Sequence, residues 1–333
     1  MKHFLNRREF LEGSSRLAAG LAAASLAQGA AATGPGKPKP CLACRDGHLK
    51  QTDEKDCWSA LQSIGAEGVE AAIGDDLSLP GLYHPDRRYS AADEAGIKTL
   101  LADMKAAGKG ISAFCMNNRF EERADFEVKW GAKVALAAQA LGVKAVRIDV
   151  VPRKLPATEF LDFSVKTLKQ LIEATESTGV AFGIENHGGT TNNPEFLKPL
   201  LDRVGSKRLG LTLDTGNFYW FGHPLSKVYE LYETFASRVV HTHCKSIRFP
   251  EAEREKQRKM GWEYGKYNCP IYEGDIDFRR VVKILLAASY GNDLCVEDES
   301  LEKFPATGRG AVLAKEIRHL KDCLETAASS RSA

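Results

Sequence analysis

Four stretches of this 333-residue chain end a short apolar run with carboxylates or imidazoles. They are Gly183-Ile184-Glu185-Asn186-His187-Gly188-Gly189, Leu211-Thr212-Leu213-Asp214-Thr215-Gly216-Asn217, Val240-His241-Thr242-His243-Cys244-Lys245 and Cys295-Val296-Glu297-Asp298-Glu299. If each run is a strand covered on both faces, an ionised carboxylate in it must be paired or metal-bound. Side chains alternate along a strand, so Glu185 shares a face with His187, His241 with His243, and Glu297 with Glu299. Should that face be the inner one, Glu185, Asp214, His243 and Glu297 converge. Three carboxylates and one imidazole make a mostly hard donor set, suited to Mn²⁺, Mg²⁺ or Co²⁺ and compatible with Zn²⁺, with open positions for substrate oxygens. The competing reading, four separate salt-bridging or capping groups, suits any one of these residues better than it suits four at equivalent strand ends.

Other polar residues surround this set. His241 lies one inward layer below His243, either as a hydrogen-bonded core histidine or as support behind the ligand. Arg147 is followed by Asp149 on the same strand face, and the two either orient a substrate or pair with each other. Lys245, Arg248 and Lys266 fall on or near a long connection and contact either substrate or water. Glu299 is placed to back Glu297, while Glu70 and Asn117 are weaker candidates with supporting roles.

The elements that must position these groups are legible as a repeat. Eight short apolar runs occur: Lys39 to Cys44, Gly68 to Ile73, Gly110 to Cys115, Ala145 to Val151, Val180 to Glu185, Leu209 to Asp214, Val239 to Cys244 and Asp293 to Glu297. Amphipathic segments lie between them, such as Glu94 to Ala107, with Ile97, Leu100, Leu101 and Met104 on one face, and Asp125 to Leu141. Alternating βα units in that number predict a single (β/α)8 barrel. No Gly-x-Gly-x-x-Gly follows an early strand, which removes support for a dinucleotide-binding domain. The longest gap, Ser246 to about Asp277, follows the seventh strand on the side where barrel active sites sit, and is a candidate lid.

Taken together, Ile184-Glu185-Asn186-His187, Leu213-Asp214-Thr215-Gly216-Asn217, the His-x-Lys of His243 to Lys245, and Val296-Glu297 resemble the xylose-isomerase-like barrels, which include sugar isomerases, ketose 3-epimerases, inosose dehydratase and endonuclease IV. Weaker support comes from Ile64-Gly65-Ala66-Glu67-Gly68-Val69-Glu70, and the likeness covers roughly residues 40 to 325. It implies that Glu185, Asp214, His243 and Glu297 are the metal ligands. It also implies that Glu185 and Glu297 double as the acid/base pair of a sugar isomerase or epimerase. That assignment is chemically coherent: a metal on a carbonyl and its neighbouring hydroxyl stabilises an enediolate, one carboxylate removes the proton and the other returns it. His187 and Asn217, just past the ligands, are expected to hydrogen-bond substrate hydroxyls. Asn217 departs from members that carry histidine at this position, which argues against a three-metal phosphodiesterase. A lyase or dehydratase working from the same enediolate is the main alternative; a nuclease or a non-catalytic sugar-binding barrel is further off.

The ends of the chain and its composition complete the reading. Asn6-Arg7-Arg8-Glu9-Phe10-Leu11-Glu12 precedes a weakly apolar run from Leu17 to Ala27 and the small residues Ala30-Ala31-Ala32. This resembles a twin-arginine export signal over residues 1–32, implying passage through the Tat translocon to the periplasm; the competing reading is an amphipathic N-terminal helix of a cytosolic protein. The run is shorter than the ~20 residues of a spanning helix, so no stable membrane anchor is expected. Residues 33–40 read as a linker and 41–328 as the barrel. A net charge of +2, without a basic aromatic track, points away from nucleic acid; the family resemblance implies a small-molecule carbohydrate as substrate, and an oligomer is left open. The eight cysteines read as buried thiols, with at most one local disulfide between Cys41 and Cys44 rather than a redox centre.

Overall fold

A computed structural model describes residues 39–329. The twin-arginine segment and residues 33–38 of the linker lie outside the described residues. Eight parallel strands form the centre: β1 (Cys41–Arg45), β2 (Gly68–Ala72), β3 (Gly110–Cys115), β4 (Ala145–Ile148), β5 (Ala181–Glu185), β6 (Leu209–Asp214), β7 (Val239–His243) and β8 (Asp293–Val296). Their order is β8-β1-β2-β3-β4-β5-β6-β7, so neighbours in sequence are neighbours in space and β8 returns to β1. The ring closes between β7 and β8 through a parallel bridge of Cys244 with Val296. Around it run α1 (Cys57–Ile64), α2 (Glu94–Ala107), α3 (Phe120–Leu141), α4 (Ala157–Ala174), α5 (Pro194–Val204), α6 (Leu225–Phe235), α7 (Phe278–Ala287) and α8 (Ala306–Ser329), one after each strand. This is the (β/α)8 barrel that the repeat predicts.

Local chemistry explains the element ends. The side chains of Asp56, Asp93, Asn193 and Asp277 each accept a backbone N–H at a helix start. α7 buries Phe278, Val281, Val282 and Leu285, the i, i+3, i+4, i+7 stripe of a helix lying on a sheet. Gly183 permits the close approach of β5 and β6, because a Cβ there would lie 2.4 Å from Thr212 Oγ1.

Several expectations shift in detail. β4 stops at Ile148 rather than Val151, and α3 starts at Phe120, five residues before its expected first turn. In α2, Ile97 and Leu100 are buried, whereas Leu101 lies at the exposed edge of the face. A hairpin of Ser78–His84 with Arg87–Ser90, between β2 and α2, has no counterpart in the expected repeat. All eight cysteines are free thiols, so Cys41 and Cys44 form no local disulfide. Burial pushes the Cys41 thiol up to about 12. No helix among the described residues is long and apolar enough to cross a membrane.

The candidate lid has packed structure of its own. Ser246–Ile247 pairs antiparallel with Asn268–Cys269, and Phe249, Trp262 and Tyr267 make a ring cluster with centroids 5.6–5.7 Å apart. The Arg258 guanidinium lies over Tyr219 and Phe249 and donates to Lys256 O at 2.9 Å and to His223 O at 2.8 Å.

Candidate metal centre

At the C-terminal rim of the barrel, β5, β6 and β7 end on Glu185, Asp214 and His243, and Glu297 follows the last residue of β8. One donor atom from each of the four lies within 4.8 Å of the others, and all four residues are buried. His243 Nδ1 is 3.3 Å from both Glu185 Oε1 and Glu297 Oε2. Asp214 Oδ1 accepts the backbone N–H groups of Gly216 at 2.8 Å and Asn217 at 2.9 Å. Its Oδ2 accepts no hydrogen bond and is ion-paired with Lys245 Nζ at 2.8 Å. A buried carboxylate oxygen that accepts no hydrogen bond and lies with two further carboxylates and an imidazole within 4.8 Å fits a divalent cation by both donor chemistry and position.

A guanidinium holds one oxygen of each glutamate. Arg147 on β4 donates Nε to Glu185 Oε2 at 2.7 Å, adds a second bond to the same oxygen through Nη2, and takes Asp149 Oδ2 at 2.7 Å with Nη1. Arg45, the last residue of β1, pairs with Glu297 Oε1 and places Nε 2.9 Å from Glu70 Oε2. Each glutamate therefore gives one oxygen to a guanidinium and turns the other towards His243. Of the two readings for Arg147, the structure shows the pairing with Asp149, with only 10% of the side chain exposed. Lys245 is also buried, and its ammonium reaches Glu299 at 3.0 Å and Glu297 at 3.4 Å.

The charges are interdependent. Burial opposes ionisation of Glu185 and Glu297, but the cations around them prevail and hold both carboxyls well below the usual range: Arg147 and His243 at Glu185, His243 and Lys245 at Glu297. At Asp214 burial wins, and the carboxyl is pushed up to about 7.

The remaining predicted groups divide between centre and rim. Asn217 donates Nδ2 to Glu185 Oε1 at 3.3 Å, so it bonds the candidate ligand directly. His187 is half exposed at the mouth, with Nδ1 3.3 Å from Asp149 Oδ1, free to meet a substrate from its other side. Glu299 accepts from Lys245 and from the Tyr264 hydroxyl at 2.6 Å, which ties the candidate lid to the strand end behind Glu297. His241 is fully buried, with Nδ1 2.8 Å from Asp293 Oδ2. Arg248 and Lys266 are exposed, the latter ion-paired with Glu263. Asn117 is exposed; its neighbour Asn118 is the buried one and holds Glu127 at 2.7 Å.

Several contributors escaped sequence reasoning. Arg45 carried a signal, a basic residue at the end of the first run, but nothing local pairs it with Glu297. Asn186, inside the Ile-Glu-Asn-His stretch, clamps the Asp214 backbone in both directions, at 2.9 and 2.8 Å. His48, just after β1, has a buried Nε2 without a partner, and burial brings its pKa down to about 4.

The profile of the xylose isomerase-like TIM barrel family matches residues 58–323. An uncharacterised protein of Methanocaldococcus jannaschii is 28% identical over 172 residues, half the length of each chain. An inosose dehydratase of Clostridium perfringens is 27% identical over 258 residues, 72% of this chain and 85% of that one. Among solved structures, the IOLI protein with a bound zinc atom superposes with a TM-score of 0.64 at 18% identity, covering 85% of this chain and 98% of that one. L-ribulose 3-epimerase superposes with a TM-score of 0.59 at 16% identity, covering 88% and 97%. A barrel protein of Mycobacterium smegmatis in complex with magnesium superposes with a TM-score of 0.58 at 16% identity, covering 80% and 88%.

Proposed function

Because this chain belongs to the xylose isomerase-like TIM barrel family, we propose that it is a divalent-metal-dependent sugar isomerase or epimerase, acting by proton transfer at the carbon beside a carbonyl. The observation that carries this reading is the convergence of Glu185 and Glu297 on His243 Nδ1, at 3.3 Å each, with the second oxygen of each glutamate pinned by its own guanidinium. Two fixed carboxylates at one centre suit removal of a proton by one and its return by the other. A divalent cation held by Glu185, Asp214, His243 and Glu297 would polarise the carbonyl and its neighbouring hydroxyl. Arg147 and Arg45 fix the carboxylate orientations, Asn217 steadies Glu185, and His187 at the mouth is placed to take a substrate hydroxyl. Zinc and magnesium in structural neighbours support the metal class and leave its identity to measurement.

A second reading has its own support in the inosose dehydratase similarity. There the same abstracted proton would be followed by loss of a β-hydroxyl instead of reprotonation. Export through the twin-arginine route belongs to the same proposal and rests on Arg7-Arg8 and the apolar run behind them.

The deciding experiment incubates the metal-loaded protein with ketoses, inososes and 3-keto-glycosides in deuterated water and follows exchange and products by NMR. Deuterium in a recovered isomer supports isomerisation, and an unsaturated product shifts the assignment to a lyase. The catalytic reading fails if nothing exchanges and Glu297→Gln leaves metal binding and sugar affinity untouched.

A further inference from the structure

Beneath the four-residue site lies a buried polar layer to which the proton transfer assigns no role. Glu70, on β2, is completely buried, yet its two oxygens meet three cationic or N–H groups. His243 Nε2 is 3.0 Å from both oxygens, Arg45 Nε is 2.9 Å from Oε2, and His241 Nε2 is 3.2 Å from Oε1. His241 is held from behind: its Nδ1 lies 2.8 Å from Asp293 Oδ2, and Asp293 Oδ1 accepts the Tyr290 hydroxyl at 2.8 Å. Hydrogen bonds thus join Tyr290, Asp293 and His241 on one side and Glu70 with His243 on the other, and His241 Nε2 faces Glu70 across the gap as an ion-pair contact at 3.2 Å.

An imidazole ligand has two nitrogens, and the one that carries a proton is unable to bind a metal. A carboxylate accepts only, and Glu70 sets both oxygens 3.0 Å from Nε2 whereas the carboxylates at Nδ1 stand at 3.3 Å, so the single proton of a neutral His243 is drawn to Nε2. The lone pair then lies on Nδ1, the nitrogen that faces Glu185 and Glu297. We propose that Glu70 is the positioning residue of the centre: it commits His243 to ligation through Nδ1, with Asp293 acting one step behind it through His241. This rests on the metal-centre reading above and deepens it. Glu70, His241 and Cys295 also cluster closely enough to suggest donors for a second ion. The Glu70 oxygens, however, are already taken by Arg45 and His243, so the layer reads as a support.

The test uses the full-length protein loaded with Zn²⁺ and labelled with ¹⁵N-histidine, with signals assigned by single-histidine variants. A metal-bound Nδ1 and a protonated Nε2 on His243 are expected, and this measurement needs no change at Glu70. Glu70→Gln, which keeps the shape and an acceptor, is expected to weaken Zn²⁺ binding about 10–100-fold in chelator competition. Asp293→Asn, one link further away, is expected to weaken it less. Ligation through Nε2, or an unchanged affinity in a folded Glu70→Gln protein, overturns the proposal. So does a thiolate charge-transfer band in the Co²⁺-loaded protein, which would place an ion beside Cys295. A wild-type protein that binds no divalent metal would instead sink the metal-centre reading itself.

Discussion

Arg147 and Glu185 stand on adjacent strands, and the guanidinium holds Glu185 Oε2 with both Nε and Nη2 while Nη1 bonds Asp149 Oδ2 and Met116 O. The orientation of Glu185 therefore depends on a planar fork reaching four acceptor oxygens on three residues at once. A lysine keeps the charge but has neither the plane nor the reach. Arg147→Lys is expected to lower kcat about 100-fold, the cost of a carboxylate misplaced by about 1 Å. Steady-state kinetics on the folded variant checks this, and an unchanged kcat would show that Glu185 needs no such support.

Tyr264 fastens the candidate lid to the barrel by donating to Glu299 Oε2 at 2.6 Å, and Glu299 in turn receives Lys245. Losing one charge-assisted hydrogen bond costs about 1.5–3 kcal/mol at most, and less at a partly exposed site. Tyr264→Phe is expected to raise KM several-fold with little change in kcat, and to speed proteolytic cleavage within residues 250–267. Equal cleavage rates in the two proteins would mean that other contacts hold the lid.

The seam between β7 and β8 has one backbone bridge, and Thr242 supplies what the ladder omits. Its hydroxyl donates to Asp293 O at 3.1 Å and accepts Cys295 N–H at 3.2 Å. Thr242→Val keeps the volume but leaves both buried groups unpaired, at about 1–3 kcal/mol for each. Chemical denaturation should register a loss of about 2–6 kcal/mol for the two groups together, and a variant as stable as wild type would show that the seam closes without the hydroxyl.

Glu316, on α8, is fully buried; Oε1 accepts the Ile271 N–H at 2.9 Å and Oε2 has no partner. Burial, reinforced by the Asp298 carboxylate, pushes its pKa well above the usual carboxylate range. A raised folded pKa contributes stability below the unfolded value of about 4.3, and that contribution is lost as pH climbs towards the folded pKa. Glu316→Gln keeps the acceptor and removes the ionisation. The melting temperature of the variant should exceed that of wild type by about 2–4 °C near neutral pH, for about 1 kcal/mol recovered, with no advantage near pH 4. Parallel melting curves from pH 4 to 8 would exclude this role for Glu316.

The barrel was legible because each βα unit writes its own pattern: apolar runs for strands covered on both faces, and 3.6-residue stripes for the helices outside. The starts and stops of β3, β5 and β6 were readable almost to the residue. The hairpin at Ser78–Ser90 was not, since its short strands pack locally and alternate weakly. The lid stood out as a gap, yet its internal order depends on Arg258 and three aromatic rings whose meeting no local pattern announces.

For the site, the chain alone determined which side chains end their strands and which share a face, because alternation along a strand is a property of the backbone. Glu185, Asp214, His243 and Glu297 follow from that geometry together with the family resemblance. Only the tertiary structure decided who faces them. Arg45 reaches Glu297 across 252 residues of sequence, and Glu70 reaches His243 across 173. Such pairings arise when the sheet closes on itself and its stagger brings chosen layers level, a global condition that no strand carries alone.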